Sequence, residues 1–135
     1  MAVGLVIVSH SAHLAEGVAE LAGQMAQGKV AIAVAGGTAE GRLGTSFEKI
    51  LDALRQVDGP DGILVLLDLG SAVMATEMAV EAFAHDSPHA VVISPAPIVE
   101  GAVIAAVEAS VGNSLQEVAE AAASAYSLPK VNANH

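Results

Sequence analysis

Four runs of branched apolar residues recur along this chain, each unbroken rather than alternating: VGLVIVS (3–9), VAIAVA (30–35), GILVLLDL (62–69) and AVVIS (90–94). An unbroken apolar run describes a strand covered on both faces, as in parallel sheets joined by crossover helices. The intervals carry the helical period. Leu14, Val18, Leu21 and Met25 share one face, Phe47, Ile50, Leu51 and Leu54 a second, and Ala75, Met78, Ala79 and Ala82 a third. Thr45 with Glu48, and Ser114 with Glu117, have the spacing of a capping box and predict two helix starts. DGPDG (58–62) reads as a turn. After the fourth run, PAP (95–97) delays helix entry, IVEGAVIAAVEASVG then predicts a helix apolar nearly all round, and a last helix follows from Leu115 to Tyr126. This β-α-β-α-β-α-β alternation predicts a doubly wound α/β fold. Its mainly parallel sheet has about four to five strands in the order 2-1-3-4, with helices on both faces. The expected organisation is a single domain over 1–128 and a flexible tail over 129–135.

Composition narrows the functions such a domain can serve. Hydrophobic residues make up 53% of the chain, with only two Phe and one Tyr, so the core must be built from Val, Ile, Leu, Ala and Met. The apolar surplus is expected to lie in a subunit interface, most simply a homodimer. The net charge is −10 and the five Lys and Arg are scattered singly. With no basic stripe, nucleic acid and anionic membrane surfaces are poor partners. The absence of cysteine excludes thiolate and disulfide chemistry. No Lys or Arg precedes Lys29, and VGLVIV is too short for a signal core or a membrane span, so a cytoplasmic location is expected.

In the order 2-1-3-4 the chain leaves strands one and three in opposite directions, opening a crevice at their carboxyl ends, where such folds bind ligands. His10, between Ser9 and Ser11, ends the first strand, and Asp68, Gly70, Ser71 and Ala72 follow the third. Strand two ends in AGGTAEGRLGTS, which brings Gly36, Gly37, Thr38 and the lone Arg42 to the same region. A free imidazole near its reference pKa of about 6.5 is roughly three quarters neutral at pH 7, and neutral imidazole is a good nucleophile toward phosphorus. Asp68 is positioned to hold one ring nitrogen as a donor and leave the other as the attacking lone pair. Backbone amides of Gly70–Ala72 and of Ser11–His13 would then receive phosphoryl oxygens. Such a set suits phosphoryl transfer, which asks mainly for in-line positioning and charge stabilisation. No GxxxxGK[ST] motif is present, so no bound nucleotide cofactor is expected, and donor and acceptor should be carried by other macromolecules.

Blander roles compete for the same residues. Asp68 and Ser71 also suit a simple strand-to-helix turn, and Arg42 a solvated loop charge. His13 lies one turn beyond His10, but a metal site calls for a fuller ligand set, so no metal is expected and His13 reads as a rim residue. His85 and His89 read as loop residues without a partner in view, and His135 as tail. A flavodoxin-like electron carrier would want aromatic stacking and a hydroxyl-rich phosphate loop after strand one, and none of the three aromatics is expected near a switch-point loop.

Taken in order, LVIVSHSAHLAEGVAEL, GGTAEGRLGTS and LLDLGSAVMATEMA resemble the family of phosphotransferase subunits of the phosphoenolpyruvate-dependent dihydroxyacetone kinase (DhaM), over about residues 3–126. The resemblance implies a IIA domain of the mannose class and a homodimer. It implies phosphorylation of His10 by the phosphocarrier HPr, with Asp68 matching the family's carboxylate and Gly36, Gly37 and Thr38 as phosphate neighbours, beside Ser9, Ser11, Gly70, Ser71 and Ala72, which the positions at the strand ends place near the phosphate. It further implies transfer to ADP held on the DhaL subunit, and from there to dihydroxyacetone on DhaK. Some family members continue into HPr-like domains, and this chain is expected to use a separate HPr. The competing readings are a sugar-transporting IIA domain of the mannose class, which usually has GHG where this chain has SHS, and a non-catalytic switch read out through its phosphorylation state.

Overall fold

The structure is a computed structural model that describes residues 2–132. Four strands, β1 (Gly4–Ser9), β2 (Ile32–Gly36), β3 (Ile63–Leu67) and β4 (Val91–Ile93), form one parallel sheet in the order β2-β1-β3-β4. The helices are α1 (Ala12–Met25), α2 (Phe47–Gln56), α3 (Val73–Ala84), α4 (Ile98–Ser110) and α5 (Leu115–Ala123), with 3₁₀ turns at Gly70–Ala72 and Ser124–Ser127. The fold class and strand order are those expected from the apolar runs. The last expected helix stops as an α-helix at Ala123 and tightens into the second 3₁₀ turn. Of the expected tail, residues 133–135, His135 among them, lie outside the described residues.

Side chains alternate across the sheet and supply two cores. Leu5 and Ile7 of β1, with Leu64 and Leu66 of β3, face α1, α4 and α5. Val6, Val8, Ile63 and Val65 face α2 and α3, where Ile50, Leu54 and Phe83 close the layer. The carboxyl ends of β1 and β3 are held level by the register Val8↔Leu67, so Ser9 and Asp68 emerge side by side.

Three local expectations are corrected. The cap of α2 is Ser46, not Thr45: Ser46 Oγ accepts from the Lys49 amide at 3.2 Å, and Lys49 rather than a Glu stands at the third helical position, so no box closes there. The Ser114–Glu117 box does form, with both reciprocal hydrogen bonds present. On α1 the inward stripe is Ala15, Val18 and Ala22, while Leu14, Leu21 and Met25 are 41–53% exposed. Close approach of the helix to β2 dictates this, because a Cβ at Gly36 would stand 2.6 Å from Ala12 Cα and 3.0 Å from Ala15 Cβ. On α3, likewise, Thr76, Ala79 and Phe83 turn inward and Met78 turns out.

Candidate functional site

The crevice between the β1–α1 and β3–α3 turns holds His10, Asp68 and Ser71 in one hydrogen-bonded line. Asp68 Oδ1 lies 3.0 Å from His10 Nδ1, and Ser71 Oγ lies 2.9 Å from His10 Nε2. The carboxyl group is 9% exposed and the ring 26%, so the acid is sheltered and the ring opens toward solvent. Burial alone would raise the Asp68 pKa. Hydrogen bonds from the His10 amide, the His10 ring and Ser9 outweigh it and leave the group below its ordinary value. Asp68 is therefore an anion at neutral pH and can only accept, so the ring proton sits on Nδ1. In the neutral ring Nε2 then keeps its lone pair, and the Ser71 hydroxyl is placed to donate to it.

Each flanking residue has a distinct position. Ser11 caps α1, its Oγ accepting from the Leu14 amide at 3.2 Å, and its own amide donates to Ser9 Oγ. The first-turn amides of Ala12 and His13 therefore carry the unpaired donors of that helix start. The β3–α3 turn does the same by other means. Leu69 N–H donates to Asp68 Oδ1 at 2.7 Å and Ala72 N–H to the Leu69 carbonyl, so Gly70 and Ser71 begin the turn with amides outside its ladder. Ser9 departs from the expected position. It is fully buried, with its hydroxyl set between Asp68 Oδ2 and the Ser11 amide, each at 3.0 Å, so it cannot reach an incoming phosphate.

The glycine-rich loop folds onto itself instead of presenting its amides. Gly37 N–H donates to the Ser9 carbonyl, Thr38 N–H to the Arg42 carbonyl, and Gly44 N–H to the His10 carbonyl. Thr38 Oγ1 accepts from the Arg42 amide. Gly36 and Gly37 allow close approach: a Cβ at Gly37, where φ is +72°, would fall 2.9 Å from the Arg42 carbonyl oxygen. Arg42 is exposed on this rim, and its guanidinium forms no ion pair with an acid among the described residues. His13 is exposed on α1. Among the described residues no three His, Asp or Glu side chains gather as metal ligands.

Two contributors escaped the reading of the sequence. Lys49 donates to the Gly36 carbonyl at 3.0 Å and ties α2 to the end of β2. A lysine in the first turn of a helix opposes the macrodipole, and that mismatch was the available signal. Tyr126, remote in sequence, lines a cleft of about 770 Å³ beside Asp68 together with Leu69, Glu77, Pro95 and Pro97, so an aromatic does border the switch point. His89 also has a partner: its Nδ1 lies 2.8 Å from Asp58 Oδ1, at the opposite end of the sheet.

The chain is an open parallel sheet with a carboxylate-held histidine at its switch point. The EIIA-man family model, described as PTS system fructose IIA component, matches residues 4–119, and the chain belongs to that family. Within it the chain is similar to DhaM proteins. It is 40% identical over 119 residues to the phosphoryl donor subunit DhaM of the PEP-dependent dihydroxyacetone kinase of Escherichia coli K12, covering 86% of this chain and 25% of that protein. It is 35% identical to the corresponding subunit of kinase 2 of Listeria innocua, covering 86% of this chain and 93% of that one. The chain thus spans about a quarter of the enterobacterial relative and nearly all of the Listeria one. Among solved structures, the crystal structure of the unknown-function protein EF1359 superposes with a TM-score of 0.79 at 31% identity, covering 98% of this chain and 100% of that one.

Proposed function

We propose that this chain is the phosphoryl carrier of a phosphoenolpyruvate-dependent dihydroxyacetone kinase. His10 takes a phosphoryl group from phospho-HPr and passes it to ADP on a DhaL subunit, and the ATP so formed phosphorylates dihydroxyacetone on DhaK. The observation that carries the reading is the Asp68–His10–Ser71 line, which prepares Nε2 as the nucleophile. The Nε2 lone pair forms the new bond to phosphorus as the bond to the HPr histidine breaks. The proton stays on Nδ1, and Asp68 stabilises the cationic phosphohistidine ring. Ser71 Oγ–H turns from Nε2 to a phosphoryl oxygen, and the amides of Ala12, His13, Gly70 and Ser71 receive the others. Arg42 supplies a positive charge at the rim, while Ser11, Gly36, Gly37, Thr38 and Ala72 shape the pocket. In the second transfer a β-phosphate oxygen of ADP attacks, the P–N bond breaks, and neutral His10 returns.

In this reading the chain binds no cofactor of its own and works in the cytoplasm as a homodimer. The exposed Leu14, Leu21 and Met25 on α1 support burial against a second copy, which sedimentation would read directly. No helix among the described residues is long and apolar enough to cross a membrane.

Intact-mass measurement after mixing with enzyme I, HPr and phosphoenolpyruvate tests the first transfer, and adding ADP-loaded DhaL with DhaK and dihydroxyacetone tests the second. The expected result is one acid-labile phosphate, gained and then discharged. A phosphate that discharges only to a sugar-permease component would favour a transporting IIA domain, the reading that the family's own description supports. No gain of phosphate would refute the carrier role.

A further inference from the structure

Asp68 follows directly on β3 and its carboxyl group turns about a broad torsional well, so some contact must hold the orientation that serves His10. Oδ1 is engaged by His10 Nδ1 at 3.0 Å and by the Leu69 amide at 2.7 Å. Oδ2 is engaged by the His10 amide at 2.9 Å and by Ser9 Oγ at 3.0 Å, with His10 Nδ1 further off at 3.3 Å. Of these donors only Ser9 is a side chain outside the proposed transfer chemistry. Its hydroxyl oxygen accepts from the Ser11 amide, so the hydroxyl hydrogen is directed at Asp68. Full burial removes water as a substitute partner.

We infer that Ser9 is a positioning residue: its hydroxyl fixes the Asp68 carboxylate in the orientation that keeps the His10 proton on Nδ1 and Nε2 free to react. The inference deepens the proposed carrier function and rests on it for its kinetic consequence. It reassigns Ser9 from the phosphate to the carboxylate, and it joins the ends of β1 and β3 and the cap of α1 through one oxygen. The titratable groups that face Asp68 are His10 from the β1–α1 turn and, across the adjoining cleft, Glu77 of α3 and Tyr126 of the C-terminal 3₁₀ turn. Only His10 touches the carboxylate, which leaves Ser9 as the remaining side-chain donor to it.

Two readouts on Ser9→Ala test this, and one is independent of phosphate. Carboxyl ¹³C and imidazole ¹⁵N titrations should show Asp68 ionising at higher pH than in the wild type, and a smaller share of His10 protonated at Nδ1. An unmoved Asp68 titration with an unchanged tautomer would overturn the inference. The transfer rate from phospho-HPr should fall by roughly tenfold, the effect of one hydrogen bond to a charged group. In an Asp68→Asn background the same substitution should change the rate little, because the partner through which Ser9 acts is gone. Losses that simply multiply in the double variant would mean that Ser9 acts through α1 instead. If wild-type protein takes no phosphate at all, the carrier reading fails, while the titrations still decide the role of Ser9.

Discussion

His10 and Asp68 do separable jobs, one making a bond and the other orienting the ring that makes it. His10→Ala removes an exposed-edge ring from a turn whose backbone is pinned by Ser9, Gly44 and Asp68, so the variant should fold and carry no phosphate. A circular dichroism spectrum like the wild type's, with no mass gain beside phospho-HPr, is the expected pair of results. Asp68→Asn keeps the shape but loses the anion that fixes the tautomer. Transfer should slow by about 10²–10⁴-fold in a stopped-time mass assay, the range for losing an orienting group. An unchanged rate would reduce Asp68 to a turn residue. Both residues were legible in the sequence because topology alone brings the ends of strands one and three together. The orientation of Ser9 was not, since it depends on the register Val8↔Leu67 that sets Asp68 beside it.

At the scale of elements, close backbone approach governs the crevice. A methyl group at Gly36 would meet Ala12 Cα and the Ser11 carbonyl oxygen at 2.6 and 2.8 Å, both backbone atoms that cannot yield without moving the start of α1. Gly36→Ala should therefore lower stability by about 1–3 kcal/mol, as overpacking does. It should also slow transfer, because α1 carries the Ala12 and His13 amides. Chemical denaturation read alongside transfer rates checks both effects. The same close approach explains what the apolar pattern missed. Periodicity put Leu14, Val18, Leu21 and Met25 on one face, whereas the helix, this near to a strand, buries Ala15, Val18 and Ala22 and shares only Val18 with that face. The strands themselves were readable, because burial on both faces leaves an unbroken apolar run whatever packs against it.

Across the whole molecule, acid sensitivity is spread over both ends of the sheet. Asp58 is held below its ordinary pKa chiefly by the hydrogen bond from His89, with Ser87 adding to it, and Asp68 is held low at the other end. A carboxyl group with a depressed folded pKa stabilises the fold above its unfolded value and loses that contribution as pH falls through the folded one. Asp58→Asn should thus lower the Tm most above about pH 4, with the gap to the wild type narrowing as pH falls below it and the folded carboxylate in turn takes up its proton. Thermal scans from pH 7 to pH 3 would reveal the convergence, and a gap that stayed constant would remove Asp58 from the acid response.

The loop from Gly37 to Gly44 is pinned at both ends to the histidine's own neighbourhood, by Gly37 to the Ser9 carbonyl and by Gly44 to the His10 carbonyl. A segment anchored in this way is an exchangeable cassette. Of its six intervening residues, Ala39, Glu40 and Leu43 take no part in the proposed pocket and are the ones open to rewriting for a new partner while the nucleophile stays where it is. Redirecting this domain to a different acceptor protein is then a task for loop grafting, with no need to rebuild the chemistry beneath it.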